Sequence, residues 1–520
     1  MSVGTAATDL RRPAAPSQPS RARALLAEPA VLAVAALTLL AAVLRFYRIG
    51  HQGFWFDEGN TALLVHFSPG KMLGLIPQTE STPPLYYCVA WVWARVFGFG
   101  EAGLRSLSAV CGVLVVPVAY GAGSKLISRR AGLIAAALTA CSPLLIWYSQ
   151  EARSYEMLVL LSSVSLLAFA HARATPTPRL LAAWVIASAL ALATHYYAIL
   201  AVIPEAVLLL WTYRARRSVQ LAVGVVGLCG VALIPLAIGQ SGTGNASWIA
   251  NAPLGRRLGQ VVPQFAAGFD GPAHSVLEPI AIAVLVLAAV LVFTRSDGAA
   301  RRGALIAGGI ALAGLVFNLL LIAGGVDDLI TRNVLAIWMP AALFVAGGLA
   351  AARARRAGLV AAGVLCALGV ATALGVAFDR GLQRPDWRVV ARALGTHPGP
   401  PGTRAILIQH YRDLLPLSLY VPGLHFMGAA GATVSELDVV SFTSPPSAGF
   451  CWWGSACNLW PSRAQSSYPV TGFHAVSERH ELQFTVVRLV APHPVRLTPA
   501  AVSRALTATR LANDGLLIER

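Results

Sequence analysis

The sequence predicts an all-α polytopic membrane protein, with about eleven transmembrane helices and one interfacial helix, followed by a small external α/β domain. Three observations predict it. The 520 residues are 56% hydrophobic and only 12% charged, against about 25% charged in ordinary soluble domains, and the mean hydropathy is +0.64. Apolar runs approaching the roughly 20 residues that cross a bilayer recur from residue 29 to residue 378 and then stop. Most basic residues sit in short segments between those runs, where they read as topology signals. That placement excludes a nucleic-acid-binding role despite the net charge of +17. Only two of the forty basic residues are lysines, Lys71 and Lys125, a bias of composition rather than of chemistry.

Residues 1–28, with "PAAPSQPSRAR", have the composition of a disordered cytoplasmic tail. The first apolar run is followed by "RFYRIG" rather than by a small-x-small cleavage site, so it reads as a retained anchor. Crossings are expected near 29–47, 104–124, 131–148, 155–171, 180–197, 199–213, 218–239, 278–294, 303–324, 334–351 and 357–378. The segment 83–98, "PPLYYCVAWVWARVFG", is placed by charge. With it lying at the interface, the N-terminal tail and the basic segments 124–130, 171–179, 212–218, 295–302 and 352–356 all face the cytoplasm. Its prolines and paired Trp and Tyr suit the headgroup level. The expected organisation is a tail (1–28), a membrane module (29–378) and an external domain (379–520), in the cell membrane. The last contains strand-like runs at 405–409, 437–442 and 484–490 and a helix at 498–512. Five of the seven cysteines read as small buried hydrophobes. Cys451 and Cys457, in the external domain, are candidates for a local disulfide.

With this topology the unusual polar residues gather on one face. Asp57 and Glu58 follow the first crossing; Gln150, Glu151, Arg153 and Tyr155 lie between the third and fourth. His195, Tyr196 and Tyr197 lie between the fifth and sixth; Asp327, Asp328 and Arg332 precede the tenth. Singly, each has an ordinary reading: a solvated acidic pair, a charge-paired turn, an aromatic belt, an arginine reaching headgroups. Four together at one face suggest a shared cavity. Glu205, two turns into the sixth crossing, is costly unless it meets polar partners. Such a cavity suits transfer of a sugar from a lipid phosphate. Arginine forks at headgroup depth, Arg153 and Arg332, match phosphate oxygens. A carboxylate takes the proton of the attacking hydroxyl, and the leaving phosphate needs cationic stabilisation.

The stretches "WFDEGN", "TPPLYY", "GEAGLRSLSAVCGVL", "PLLIWYSQEARSYEML", "THYYA" and "ITRNVLAIWMP", spanning roughly residues 40–340, and "RPDWRVVARAL" beyond them, resemble the GT-C superfamily of polytopic glycosyltransferases. They are most similar to family 39, which includes protein-mannosyltransferase-like enzymes and the aminoarabinose transferase. The resemblance implies inverting transfer from a polyprenyl-phosphate sugar to a lipid, polysaccharide or protein acceptor. It implies Asp57 as base, with Glu58 assisting or orienting it. Gln150, Arg153, Tyr155, His195, Tyr196 and Arg332 would contact substrate. Some relatives carry a charged residue or His before the two prolines. Here Thr82 stands there, with Glu80 two positions earlier. The acidic pair could hold a divalent cation, but no full ligand set is visible, and the metal requirement stays open. Two other classes compete: a transporter or flippase, which would place ionisable groups near the midplane, and a non-catalytic glycan assembly or export protein.

Overall fold

The computed structural model describes residues 28–269, 271–397, 399–400, 403–408, 414–442, 470–481, 483–507 and 515–519. The expected tail up to residue 27, the Cys451–Cys457 pair and the end of the 498–512 helix lie outside them.

Among the described residues, nine helical stretches are long and apolar enough to cross a membrane. A tenth crossing is a bent pair, Arg129–Cys141 with Pro143–Ser149, turned by 54°. Pro178–Thr194 is a shorter apolar helix of 17 residues, about 26 Å of rise. Each of the eleven expected crossings coincides with one of these elements. The helix Leu85–Phe97 has 13 residues and rises only about 20 Å, short of the roughly 30 Å hydrocarbon layer. The crossing expected over 131–148 is the bent pair. Pro143 has no N–H, so the turn before it loses a helical donor. The carbonyls of Thr139 and Ala140 are taken instead by the guanidinium of buried Arg45, at 2.9 and 3.0 Å, and Ser142 caps the second piece.

We number the helices that position the site: α1 (Pro29–Phe46), α2 (Phe56–Leu64), α3 (Pro69–Thr79), α4 (Leu85–Phe97), α5 (Glu101–Leu126), α6 (Arg129–Cys141), α7 (Pro143–Ser149), α8 (Tyr155–Ala174), α9 (Pro178–Thr194) and α10 (Ile199–Tyr213). Further along run α11 (Arg217–Ala232), α12 (Ile234–Ser241), α13 (Leu254–Ala267), α14 (His274–Thr294), α15 (Gly298–Ala323), α16 (Trp338–Leu349) and α17 (Arg355–Phe378). Lipid offers helices no hydrophobic drive to associate, so close packing falls to small residues. A Cβ on Gly123 of α5 would sit 2.7 Å from Gly132 of α6, and one on Gly348 of α16 would sit 2.0 Å from the carbonyl oxygen of Ala288 in α14. Basic segments meet at one end of the bundle. Arg129 pairs with Glu28 at 2.9 Å, Arg130 bonds the Arg355 carbonyl, and the Tyr213 hydroxyl donates to the Arg173 carbonyl at 2.7 Å.

Beyond α17 the chain forms α18 (Trp387–Leu394) and a six-stranded sheet: β1 (Arg404–Ile408), β2 (Leu424–Phe426), β3 (Ala432–Phe442), β4 (His474–His480), β5 (Phe484–Leu497) and β6 (Gly515–Glu519), in the order β2-β6-β1-β3-β5-β4. β1 and β3 are parallel; the other pairs are antiparallel. The three expected strand runs fall on β1, β3 and β5. One face of the sheet packs Trp387, Val390 and Leu394 of α18. The other lies under α20 (Pro499–Thr507), with Val502 in its core; α19 (Leu414–Ser418) links β1 to β2.

The sheet is clasped to the loops that leave the bundle. Tyr420 accepts from the Phe54 N–H at 2.6 Å and donates to Glu101 at 2.7 Å. A Cβ on Gly59 of α2 would meet the nitrogen of Pro416 at 2.8 Å.

Gly348→Leu is expected to force α14 and α16 apart and destabilise the detergent-solubilised protein by about 1–3 kcal/mol or more. Gly363→Leu, whose Cβ would meet nothing within 4 Å, is the control; equal melting temperatures for the two would contradict the packing described.

Candidate active site

The site is built on the loop after α1 and the first turn of α2. Arg105 lies in the apolar stretch of α5, where a guanidinium needs a partner. It finds Glu58: Nε donates to Oε1 at 2.7 Å and Nη2 to Oε2 at 2.5 Å. The remaining donors of Arg105 hold the carbonyls of Ile49, Gln52 and Gly53 at 3.0, 2.8 and 2.8 Å. Glu58 also accepts from the backbone of Ala152 at 2.7 Å and of Trp55 at 3.3 Å. With its side chain fully buried, Glu58 cannot meet a substrate; it fixes the backbone on which Asp57 stands.

Asp57 points elsewhere. Its Oδ2 lies 2.5 Å from Nη1 of Arg332, and the two side chains are 16% and 14% exposed. Arg332 arrives from the 3₁₀ turn Thr331–Ile337 that opens the crossing into α16. Its guanidinium lies near the rings of Tyr155 and Trp248, at 5.7 and 5.5 Å from their centroids. The turn is anchored from the two acids before it. Asp327 receives both Nη atoms of Arg257, from α13, at 2.8 and 2.9 Å. Asp328 accepts from the Tyr197 hydroxyl at 3.1 Å, and its carbonyl from Asn333 at 2.7 Å. Burial raises the Asp328 carboxyl above its ordinary range, against the Tyr197 bond.

Arg153 lies beside Asp57 but carries a different carboxylate. Its Nη1 is 2.9 Å from Glu80, which is 2% exposed, and 3.3 Å from the backbone oxygen of Asp57. Asn60 donates to the same Glu80 at 2.6 Å. His195 is buried behind Tyr155, with ring centroids 5.9 Å apart. Burial, then the charges of Arg153 and Arg332, lower His195 to about 3, so it is neutral at physiological pH and accepts from the Tyr197 N–H at 3.3 Å.

Two expected contacts are turned to other work. The Gln150 amide donates to the carbonyls of Arg45 and Tyr47 at 3.2 and 3.0 Å, closing the end of α1. The Tyr196 hydroxyl donates to Gln240 at 2.7 Å, and Gln240 reaches the Thr82 carbonyl at 3.1 Å. Asp57, Arg153, Tyr155, His195 and Arg332 are brought together; Gln150 and Tyr196 tie the walls.

Sequence reasoning missed Trp248, Arg384 and the role of Arg105. Arg384 donates to Glu151 at 2.9 Å and to the Trp147 carbonyl at 2.9 Å. Burial pushes the Glu151 carboxyl up to about 7, opposed by Arg384 and reinforced by Asp57 and Glu58. Arg105 had a signal, a charge inside an apolar run; Trp248, in a polar loop, had none. Deep Glu205 is buried and accepts from Ser165 at 2.6 Å and Trp184 at 2.8 Å. Among the described residues no three His, Cys, Asp or Glu side chains gather to hold a metal ion.

Removing one member of the Glu58–Arg105 pair leaves a buried charge unmatched, so Glu58→Gln and Arg105→Met are each expected to cost about 3–5 kcal/mol in unfolding experiments. The double variant should cost much less than their sum; strict additivity would contradict the pairing.

The family model described as dolichyl-phosphate-mannose-protein mannosyltransferase matches residues 81–238. No curated protein matches the sequence. Among solved structures, ArnT from Cupriavidus metallidurans bound to undecaprenyl phosphate superposes with a TM-score of 0.53 at 15% identity, covering 88% of this chain and 97% of ArnT. ArnT in the apo state gives 0.54 at 16% identity over the same shares. The Archaeoglobus fulgidus oligosaccharyltransferase is a weaker likeness, with a TM-score of 0.44 at 13% identity, covering 78% of this chain and 67% of that one. The chain therefore has the polytopic fold of ArnT over most of its length, and its segment 81–238 is similar to the protein mannosyltransferases.

Proposed function

We propose that the protein transfers a sugar from a polyprenyl-phosphate donor to a cell-envelope acceptor at the external face of the cell membrane, with inversion, and that Asp57 is the general base. The observation that carries this reading is the Asp57–Arg332 pair. The other carboxylates of the cluster, Glu58, Glu80 and Glu151, are 0–2% exposed and committed to Arg105, Arg153 and Arg384. Asp57 is the carboxylate of this cluster that retains access to solvent, at 16%. The external placement rests on the basic segments meeting at one end of the bundle. The lipid-phosphate donor is argued from the matched family, whose description names dolichyl-phosphate-mannose, and from ArnT, crystallised with undecaprenyl phosphate.

In the reaction the acceptor hydroxyl gives its proton to Asp57 as its oxygen bonds the anomeric carbon. The bond from that carbon to the phosphate oxygen breaks, and the electron pair leaves with the phosphate. Arg332 uses one nitrogen on Asp57, which leaves the other donors of its fork for phosphate oxygens. Donor phosphate then shares the charge of Arg332 and weakens its hold on Asp57, which makes the carboxylate a better base once the donor is seated. Tyr155 and Trp248 lie within cation–π distance of the guanidinium, 5.7 and 5.5 Å from Cζ to their centroids. Glu58 and Arg153 act through position: one fixes the loop, the other holds the backbone of Asp57.

In membranes supplied with a radiolabelled lipid-phosphate sugar, Asp57→Asn is expected to lower turnover by about 10²- to 10⁴-fold while donor binding persists. Retained turnover would remove Asp57 as the base. Arg332→Ala should raise the apparent donor KM by about ten-fold or more; an unchanged KM would separate Arg332 from the phosphate. A reporter fused within residues 124–130 should be active only in the cytoplasm, and activity outside would invert the topology.

A further inference from the structure

Asp57 follows the end of α1; at the start of α1 the bundle breaks the rule that the cluster around Asp57 obeys. In that cluster Arg105, Arg153 and Arg384 each have a carboxylate of their own. At the opposite end arginines gather from two helix starts. Ser128 caps α6 by accepting from the Ala131 N–H at 3.2 Å, which puts Arg129 and Arg130 in its first turn. Arg353, Arg355 and Arg356 stand where the 3₁₀ turn Ala352–Ala354 runs into α17. The Arg130 guanidinium donates to the Arg355 carbonyl, so the two starts are tied together and Arg130 feels the charge of Arg355. The start of α17 cannot back away from α16, because a Cβ on Gly358 would clash with the Leu349 carbonyl at its end.

Counter-charge is scarce here. Among the described residues the acids of this end are Glu28 and Asp297. Glu28 pairs with Arg129 at 2.9 Å, and Asp297 accepts from the Ala300 N–H at 2.8 Å as the cap of α15. Arg353, Arg355 and Arg356 are exposed, and among the described residues their side chains have no hydrogen-bond or ion-pair partner. Neither α6 nor α17 has an acid in its first turn, so their arginines also oppose the helix dipoles. About one turn deeper the surface becomes apolar: Leu359 and Val360 of α17 are 52% and 67% exposed. Unopposed positive charge above a bare apolar strip is complementary to a phospholipid, with phosphate at the level of the arginines and acyl chains along the strip. A soluble anion would use the charge and leave the strip unused.

We propose that Arg130, Arg353, Arg355 and Arg356 form a binding site for an anionic phospholipid in the leaflet opposite Asp57. The lipid phosphate lies between the starts of α6 and α17 and offsets their repulsion, and its acyl chains lie along Leu359 and Val360. The bound lipid clamps two helices that both lead to the catalytic cluster. α6 continues through its bend into Trp147 and Glu151, and α17 continues into Arg384, which bonds both. The proposal is independent of the reaction the protein carries out.

The test is lipid binding to the full-length protein in neutral detergent, read by native mass spectrometry during titration with phosphatidylglycerol, phosphatidylcholine or inorganic phosphate. Phosphatidylglycerol should bind about ten-fold or more tightly than phosphatidylcholine. Arg130→Gln with Arg355→Gln should lower its affinity by about ten-fold or more. Arg214→Gln with Arg217→Gln removes the same charge from exposed arginines of another basic segment and should leave the affinity within about two-fold, because diffuse attraction to the basic end is unchanged beyond a screened distance. Equal affinity for the two lipids, or equal losses in the two double variants, would overturn the proposal. Inorganic phosphate displacing phosphatidylglycerol at equal concentration would overturn the lipid part. Melting in phosphatidylcholine nanodiscs separates binding from folding. There Arg130→Gln with Arg355→Gln should melt no lower than the parent, since it removes like charges, and added phosphatidylglycerol should raise the melting temperature of the parent alone. A lower melting temperature for that variant in phosphatidylcholine would make the arginines structural and overturn the site.

Discussion

A guanidinium inside an apolar helix must be neutralised, and Arg105 is neutralised by Glu58 at 2.5 Å with both side chains buried. The rest of the site depends on that pairing. Because Arg105 also gathers three carbonyls of the preceding loop, one interaction shapes residues 49–58 and assigns the second acid of the pair to structure. The first acid is then turned to the open side. Of two adjacent carboxylates, burial makes one a scaffold and leaves the other, Asp57, partly open to solvent.

The same logic repeats around the cluster. Glu80 answers Arg153 and Glu151 answers Arg384, so buried charges are matched in pairs, as a medium of low dielectric demands. Such pairs add little net stability, but losing one partner is costly, which makes each a fixed point of geometry. Two of them join distant parts of the chain. Arg332 reaches Asp57 across 275 positions and Arg384 reaches Glu151 across 233. The second arginine sits where the chain leaves the last apolar helix for the sheet, so the sheet is registered against the bundle by a salt bridge as well as by Tyr420.

Much of this was legible from residue order. Apolar run lengths marked the eleven helical elements, and basic segments sorted them into a consistent topology. The alternating runs at 405–409, 437–442 and 484–490 marked three strands, while the short exposed β2 and β4 carried too weak a pattern. Asp57 and Arg332 stood out because charges at a membrane edge require a reason. What stayed hidden was side-chain direction. Gln150 and Tyr196 lie in the right stretches yet turn to the end of α1 and to Gln240. Thr82 read as the departure before the two prolines, with Glu80 noted only as two positions earlier, whereas Glu80 is the partner of Arg153. The bend at Ser142 was written in Pro143, but its compensation by Arg45, 95 residues away, was not.

The central claim is that the arginine paired with Asp57 is also the arginine that receives the donor. The most direct measurement is an experimental structure of the protein with a polyprenyl-phosphate sugar analogue bound. The account predicts phosphate oxygens within hydrogen-bond distance of Arg332 and the anomeric carbon facing the Asp57 carboxylate. Phosphate bound at another cation, with Arg332 still serving Asp57 alone, would contradict it.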